Sequence, residues 1–389
     1  MRSRRARLGA SPRCARLVVL SEPRATTSLV SILSERWPGL RAVPRVDLVE
    51  RRTPVARLER ASEATGLDLW VKRDDLTASR YGGNKVRKLE YLLGLARAQE
   101  ADTVLTAGAA GSHHVFATSL YGAELKLRVR AVLFPQPWNE HVEEMLRSDL
   151  AVGAELRPVG HVALVPAALA ALRIEEGLRR RHALRVPPGG SSPRGCFGYV
   201  EAGLELAEQI AAGELPEPEA IYCAFGTGGT AAGLAIGLAA AGITARVVPV
   251  RVITRAMANR ALLKSLVQRA VRELRQYDHR FPRVADAAIV NLGIEGRQLG
   301  RGYGYPTEQA RHALAAAAED GLRLDPTYTA KAFAAVLHDA TVRSQGPARA
   351  TGAKPATRLF LQTLSGAEMA PFLERAPELP RWARRWARR

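Results

Sequence analysis

Lysine is scarce in this 389-residue chain: seven, at positions 72, 85, 88, 126, 264, 331 and 354, against fifty arginines. Where only positive charge is wanted the chain uses arginine, so the two lysines close together at 85 and 88 call for an explanation. Cysteine is scarcer still. Cys14, Cys196 and Cys223 are odd in number and lack metal or redox spacing, which excludes a disulfide framework and a zinc site. Cys196 and Cys223 read as small buried apolar residues, and a reducing cytoplasm is the expected compartment. No apolar run approaches the roughly 20 residues of a membrane span. The opening "MRSRRARLGASPRCARLVVLSEP" holds only "LVVL" where a secretory core needs about 7 to 15 residues, so neither membrane nor export is expected. Acidic residues are missing from both ends: residues 1–19 carry six Arg and 381–389 five, eleven of the net charge of +19. The excess therefore sits in tails. They read as solvated rather than as a nucleic-acid surface, although the Trp–Arg interleaving of "RWARRWARR" leaves base stacking open.

What is present is a globular composition, 47% hydrophobic and 24% charged, enough for two domains. Strand-like and helix-like segments alternate. "LDLWVKRD" alternates with period two, and "KVRKLEYLLGLARAQE" places Val86, Leu89, Leu92, Leu93 and Ala96 on one helical face. "DTVLTAG", "VRAVLF", "AELRPV", "AIYCAF", "RVVPVRV", "AAIVNL" and "RLFLQT" read as strands separated by helices, and "PVARLERASEATG" as a helix. Parallel strands need crossover connections, so the expected fold is α/β, with open, mostly parallel twisted sheets flanked by helices.

Ligands in such folds gather beyond the carboxyl ends of strands. "FGTGGTAAGL" leaves a strand, turns on Gly226, Gly228 and Gly229 and enters a helix near Thr230, with Thr227 and Thr230 offering hydroxyls. Glycines let backbone N–H groups approach an anion at a helix N-terminus; the turn is a phosphate cradle or a plain glycine-rich connection. "TAGAAGSHHVF" is a second such turn, where the N–H groups of Ser112, His113 and His114 could hold a carboxylate. Ser112 is equally a helix N-cap. Adjacent histidines face different ways and no third ligand is near, so no metal is expected. Lys85, directly after "GGN" at a helix start, has the one side chain that condenses with an aldehyde, and Arg87 and Lys88 are positioned to lower its pKa. An aldehyde cofactor carrying a phosphate is pyridoxal 5'-phosphate.

"VKRDDLTASRYGGNKVRKLEYLL", "PPGGSSPRGCFGYVEAGLELAEQ", "FGTGGTAAGLAIGL", "GYGYPT" and "LDPTYTAKAF" together resemble the D-cysteine desulfhydrase and 1-aminocyclopropane-1-carboxylate deaminase family, from about Pro54 to Gly366. These are pyridoxal-phosphate enzymes of the tryptophan-synthase β-like fold (fold type II). The resemblance implies that Lys85 carries the cofactor beside Asn84. It places the phosphate on Gly226, Thr227, Gly228, Gly229 and Thr230, and Tyr328 over the cofactor near the substrate, unless that ring is core packing. Thr363, beside the pyridine nitrogen, and Thr329, after Tyr328, match the desulfhydrase branch. A neutral hydroxyl at that nitrogen leaves a weaker electron sink, which suits elimination.

Two departures stand out. Gly111-Ser112-His113-His114 replaces the family's Gln-Ser-Asn-His, putting His113 where an Asn bonds the cofactor ring oxygen, and "QTLSG" replaces "HTGG". The expected reaction is α,β-elimination from a small amino acid, giving keto acid, ammonia and sulfide. Catalysis falls to Lys85, Ser112 and Tyr328; the substrate also meets His113 and His114. Deamination of a cyclopropane amino acid is the alternative on the same fold. A catalytically altered binding protein whose basic tails contact nucleic acid is the other. The expected organisation is a basic extension (1–50), a large cofactor-binding domain (51–85 and 185–375), a small inserted α/β domain (86–184) and a basic tail (376–389), assembled as the homodimer that the resemblance implies.

Overall fold

The computed structural model describes residues 30–344, 355–374 and 376–388; most of the basic leader, Cys14 included, lies outside the described residues. Nine strands form two sheets: β1 (Val55–Arg57), β2 (Asp68–Lys72), β3 (Thr103–Ala109), β4 (Arg128–Phe134), β5 (Glu155–Pro158), β6 (Ala183–Arg185), β7 (Ala220–Phe225), β8 (Arg246–Arg251) and β9 (Thr357–Leu361). The larger sheet runs β1-β2-β9-β7-β8 and the smaller β5-β4-β3-β6. All pairings are parallel except the β1–β2 edge. Among the described residues no helix is long and apolar enough to cross a membrane, and no cluster of three or more His, Cys, Asp or Glu could hold a metal.

Three local expectations are corrected. "PVAR" is an edge strand, and the helix starts only at Glu59. "AAIVNL" is not a strand: Ala285–Val290 is helical, and the segment meets the sheet only at its end, where the Asn291 carbonyl accepts from Val247 N–H and Leu292 bridges to Val247. A short apolar run does not distinguish strand from buried helix by periodicity. The C-terminal tail is also not simply solvated. Arg381–Ala387 is a helix that buries Ala383 and packs Trp382 and Trp386 against a core containing Ala110, Val115, Val142 and Leu146. The Trp pair at i,i+4 gives the helix an inward face, while Arg381, Arg384, Arg385 and Arg388 stay exposed. Cys196 and Cys223 are fully buried, and burial pushes both thiols up to about 12, as expected of inert core residues.

One buried ionic network fixes the helix Asn84–Ala98, which carries Lys85. Arg87 donates to Asp74 (2.9 Å) and to both oxygens of Glu205 (3.0 and 3.1 Å). Lys72 at the end of β2 donates to Glu205 (2.6 Å), and Tyr199 donates to Asp74 (2.7 Å). Thr53 joins Asp74 and Glu205. Strand β2, the Lys85 helix and the helix Pro193–Ala211 thus share one set of charges, all in low dielectric. Removing one member leaves the others buried and unpaired. Glu205→Ala is expected to lower the unfolding free energy by about 3–5 kcal/mol in urea titrations. Burial alone would raise the Glu205 pKa, but Arg87 and Lys72 hold it down at about 2. Its contribution is therefore present above the unfolded-state carboxyl value of roughly 4.3. It is lost as pH falls from there through about 2, so the gap between wild type and Glu205→Ala should narrow across that window.

Candidate active site

Four loops meet where parallel strands end: the segment after β2 leading to Lys85, the Ser112 turn after β3, the glycine turn after β7 and the Thr363 loop after β9. Gly83, with φ of 91°, turns the chain into the Lys85 helix. A side chain there would meet the Thr363 carbonyl at 2.7 Å, so only glycine allows this approach. Across it, the Asn84 N–H donates to the Thr363 carbonyl (3.2 Å). The Asn84 side chain then does two things at once: its Oδ1 accepts from Lys85 Nζ (2.6 Å) and its Nδ2 donates to Thr230 Oγ1 (3.0 Å).

The half-buried Lys85 has no carboxylate at bonding distance among the described residues. Desolvation, reinforced by the charge of Lys88, brings its pKa down to about 7. Arg87, expected to act with Lys88, faces the network with Asp74 and Glu205 instead. Lys88 is also buried, but its Nζ donates to the Gly189 carbonyl (3.1 Å) and lies over the Tyr199 ring. Of the two lysines in this window, Lys85 alone meets the glycine turn through Asn84.

The turn has the shape of an anion cradle. Gly228 has φ of 90° and leads into the helix Gly229–Ala240, whose first N–H groups lack intrahelical acceptors. At Gly226 an added Cβ would meet only the Tyr328 ring, at 3.7 Å, so the space there is open. Ser191, from the "PPGGSS" loop, braces the turn: its Oγ lies 2.6 Å from Thr227 Oγ1 and accepts from the Gly229 N–H (3.0 Å). An open glycine corner, a helix N-terminus and a desolvated amine within one amide's reach fit a phosphorylated aldehyde.

The other expected residues are placed as follows. Ser112 caps the helix His113–Glu124, accepting from the Val115 N–H at 3.4 Å. His113 Nδ1 lies 2.6 Å from the Tyr81 hydroxyl, and its ring packs on His141 at 4.7 Å. Burial, with His141 and Lys85 nearby, holds its pKa well below the usual histidine value, so it stays neutral. His114 turns the other way, with Nε2 3.0 Å from Thr106 Oγ1 on β3, so the two histidines diverge. The Tyr328 ring centroid lies 6.0 Å from Lys85 Nζ, and its hydroxyl donates to Tyr303 (2.7 Å). Burial raises both phenols, Tyr303 to about 12 and Tyr328 well above its ordinary value. Thr329 bonds Asp325, which caps this helix. Ser191 and Tyr303 are the site residues that the sequence did not single out, although each lies inside a motif that it did.

The family model "Pyridoxal-phosphate dependent enzyme" matches residues 46–349. A Pyrococcus horikoshii protein provisionally named 1-aminocyclopropane-1-carboxylate deaminase is 35% identical over 292 residues, 75% of this chain and 85% of its own. D-cysteine desulfhydrase of Yersinia pestis is 33% identical over 305 residues, 76% of this chain and 87% of its own. Among solved structures, an ACC deaminase homologue superimposes with a TM-score of 0.70 at 33% identity, covering 84% of this chain and 93% of that one. Threonine deaminase isoform 2 of Solanum lycopersicum, at 15% identity and a TM-score of 0.57, shares the fold. With Lys85, the glycine turn and the two-sheet architecture in place, the chain belongs to the pyridoxal-phosphate-dependent enzymes.

Proposed function

We propose that the protein is a lyase that eliminates a β-substituent from a small amino acid in the manner of D-cysteine desulfhydrase, releasing keto acid, ammonia and sulfide. The observation that carries this reading is the Asn84 amide, which holds the Lys85 amine and the glycine turn together. Threonines at 329 and 363 support elimination over ring-opening deamination, while relatives of both names match at 33–35% identity.

When bound, pyridoxal phosphate supplies an aldehyde that takes up amines and a ring that stabilises negative charge at the substrate Cα. Lys85 Nζ would bind that aldehyde, and its free amine, neutral near pH 7, would take the Cα proton. Residues Gly226 to Thr230 would hold the phosphate through backbone N–H groups and two hydroxyls. Thr363 would offer the ring nitrogen a neutral partner, and His113 would stand in for the amide at the ring oxygen. The Ser112 hydroxyl and the N–H groups of Ser112, His113 and His114 receive the substrate carboxylate. Tyr328, backed by Tyr303, gives a proton to the leaving group. The proposal includes the division at residues 86–184 as a small inserted α/β domain. It also includes a homodimer in the cytoplasm whose basic ends bind no nucleic acid.

Assays that score pyruvate with sulfide from D-cysteine against 2-oxobutyrate from 1-aminocyclopropane-1-carboxylate decide the reaction. Pyruvate with sulfide is expected; 2-oxobutyrate as the main product would reverse the assignment. Lys85→Ala should abolish turnover. Only the free amine condenses, so cofactor uptake by the apoprotein, followed by absorbance, should rise with pH with its midpoint near 7, where burial has set Lys85. A midpoint near the ordinary lysine value would contradict the desolvated site. Gly226→Ala fits the open corner and should melt like wild type while binding the cofactor more weakly. Gly228→Ala, forced to a positive φ, should lose about 1–2 kcal/mol of stability as well.

A further inference from the structure

We propose that Lys331 is a positioning residue: its ammonium clamps the loop 299–304 and thereby holds the Tyr303 hydroxyl against Tyr328. This rests on the reading above that Tyr328 acts at the Lys85 site.

Lys331 lies in the helix Thr329–Ser344 and is completely buried. Its Nζ donates to the carbonyls of Leu299 (3.0 Å) and Gly302 (3.1 Å), the second immediately preceding Tyr303. The loop needs such a tie. Gly300, Gly302 and Gly304 all have positive φ (58°, 118° and 79°), so glycines that cost the most conformational entropy to order surround the tyrosine. Tyr328, one helical turn before Lys331, donates to Tyr303 at 2.7 Å. Residues 328 and 331 therefore grip the loop at two points, one through its side-chain phenol and one through its backbone.

The choice of residue is informative. Asp325, whose charge reaches Lys331, is engaged elsewhere: it accepts from the N–H groups of Thr327, Tyr328 and Thr329 and from the Thr329 hydroxyl. Lys331 thus makes no ion pair with a carboxylate among the described residues, and an ammonium buried on carbonyls alone is costly to keep. A chain with fifty arginines places here a compact three-donor head, which fits between two carbonyls where a planar guanidinium does not.

Lys331→Met keeps the length and removes the donors, whereas Lys331→Gln, one atom shorter, keeps two N–H donors without charge. In hydrogen–deuterium exchange on the full chain, Lys331→Met should speed exchange across residues 299–305, and Lys331→Gln should stay near wild type. With the amino acid that wild type turns over best, Lys331→Met should lose about tenfold or more in kcat through misplaced tyrosines, with cofactor affinity unchanged. In a Tyr303→Phe background the same change should add almost nothing, because its effect runs through that hydroxyl. Unchanged exchange in Lys331→Met, an equal loss in the Tyr303→Phe background, or Lys331→Gln failing like Lys331→Met would each overturn the clamp. A wild type without turnover would sink the functional reading, and exchange alone would still decide whether the clamp exists.

Discussion

A single amide joins the two halves of the site. Asn84 can orient Lys85 and Thr230 together only because Gly83 brings its backbone against the Thr363 carbonyl. The buried charges of Arg87, Lys72, Asp74 and Glu205 fix the helix from which it projects. Loosening any of these would separate the amine from the glycine turn, and neither alone makes a cofactor site. Rigidity here serves chemistry: an amine with its pKa near neutrality is useful only if water and counter-charges are kept away from it.

The sparing use of lysine acquires a physical meaning in the structure. Lys72, Lys88 and Lys331 are buried and Lys85 is half-buried, each in a distinct setting. Lys72 completes an ion network, Lys88 braces the Gly189 carbonyl, Lys331 ties a loop, and Lys85 has no carboxylate at bonding distance among the described residues. Arginine would serve badly in each place, since its fork needs planar partners and its charge is never given up.

Much of this was legible beforehand. The parallel alternation, the two turns and the lysine after "GGN" each follow from local patterns that the fold does not override. What escaped was set by tertiary contact. The 285–290 segment is as apolar as a strand and becomes a helix. The Trp-bearing tail reads as solvated because its partner surface comes from residues 110 to 146, far away in sequence. Ser191 and Tyr303 sat inside recognised motifs, yet their roles depend on hydroxyls more than twenty residues away, at Thr227 and Tyr328. Arg87 was expected to press on Lys85, but acids at positions 74 and 205 claim it.

The central claim is that one particular amine carries the cofactor. It is tested most directly by loading the purified protein with pyridoxal phosphate, reducing it with borohydride and mapping the pyridoxyl group by peptide mass spectrometry. The account predicts stoichiometric labelling of Lys85. A label on Lys88, or no stable label on the folded protein, would contradict it.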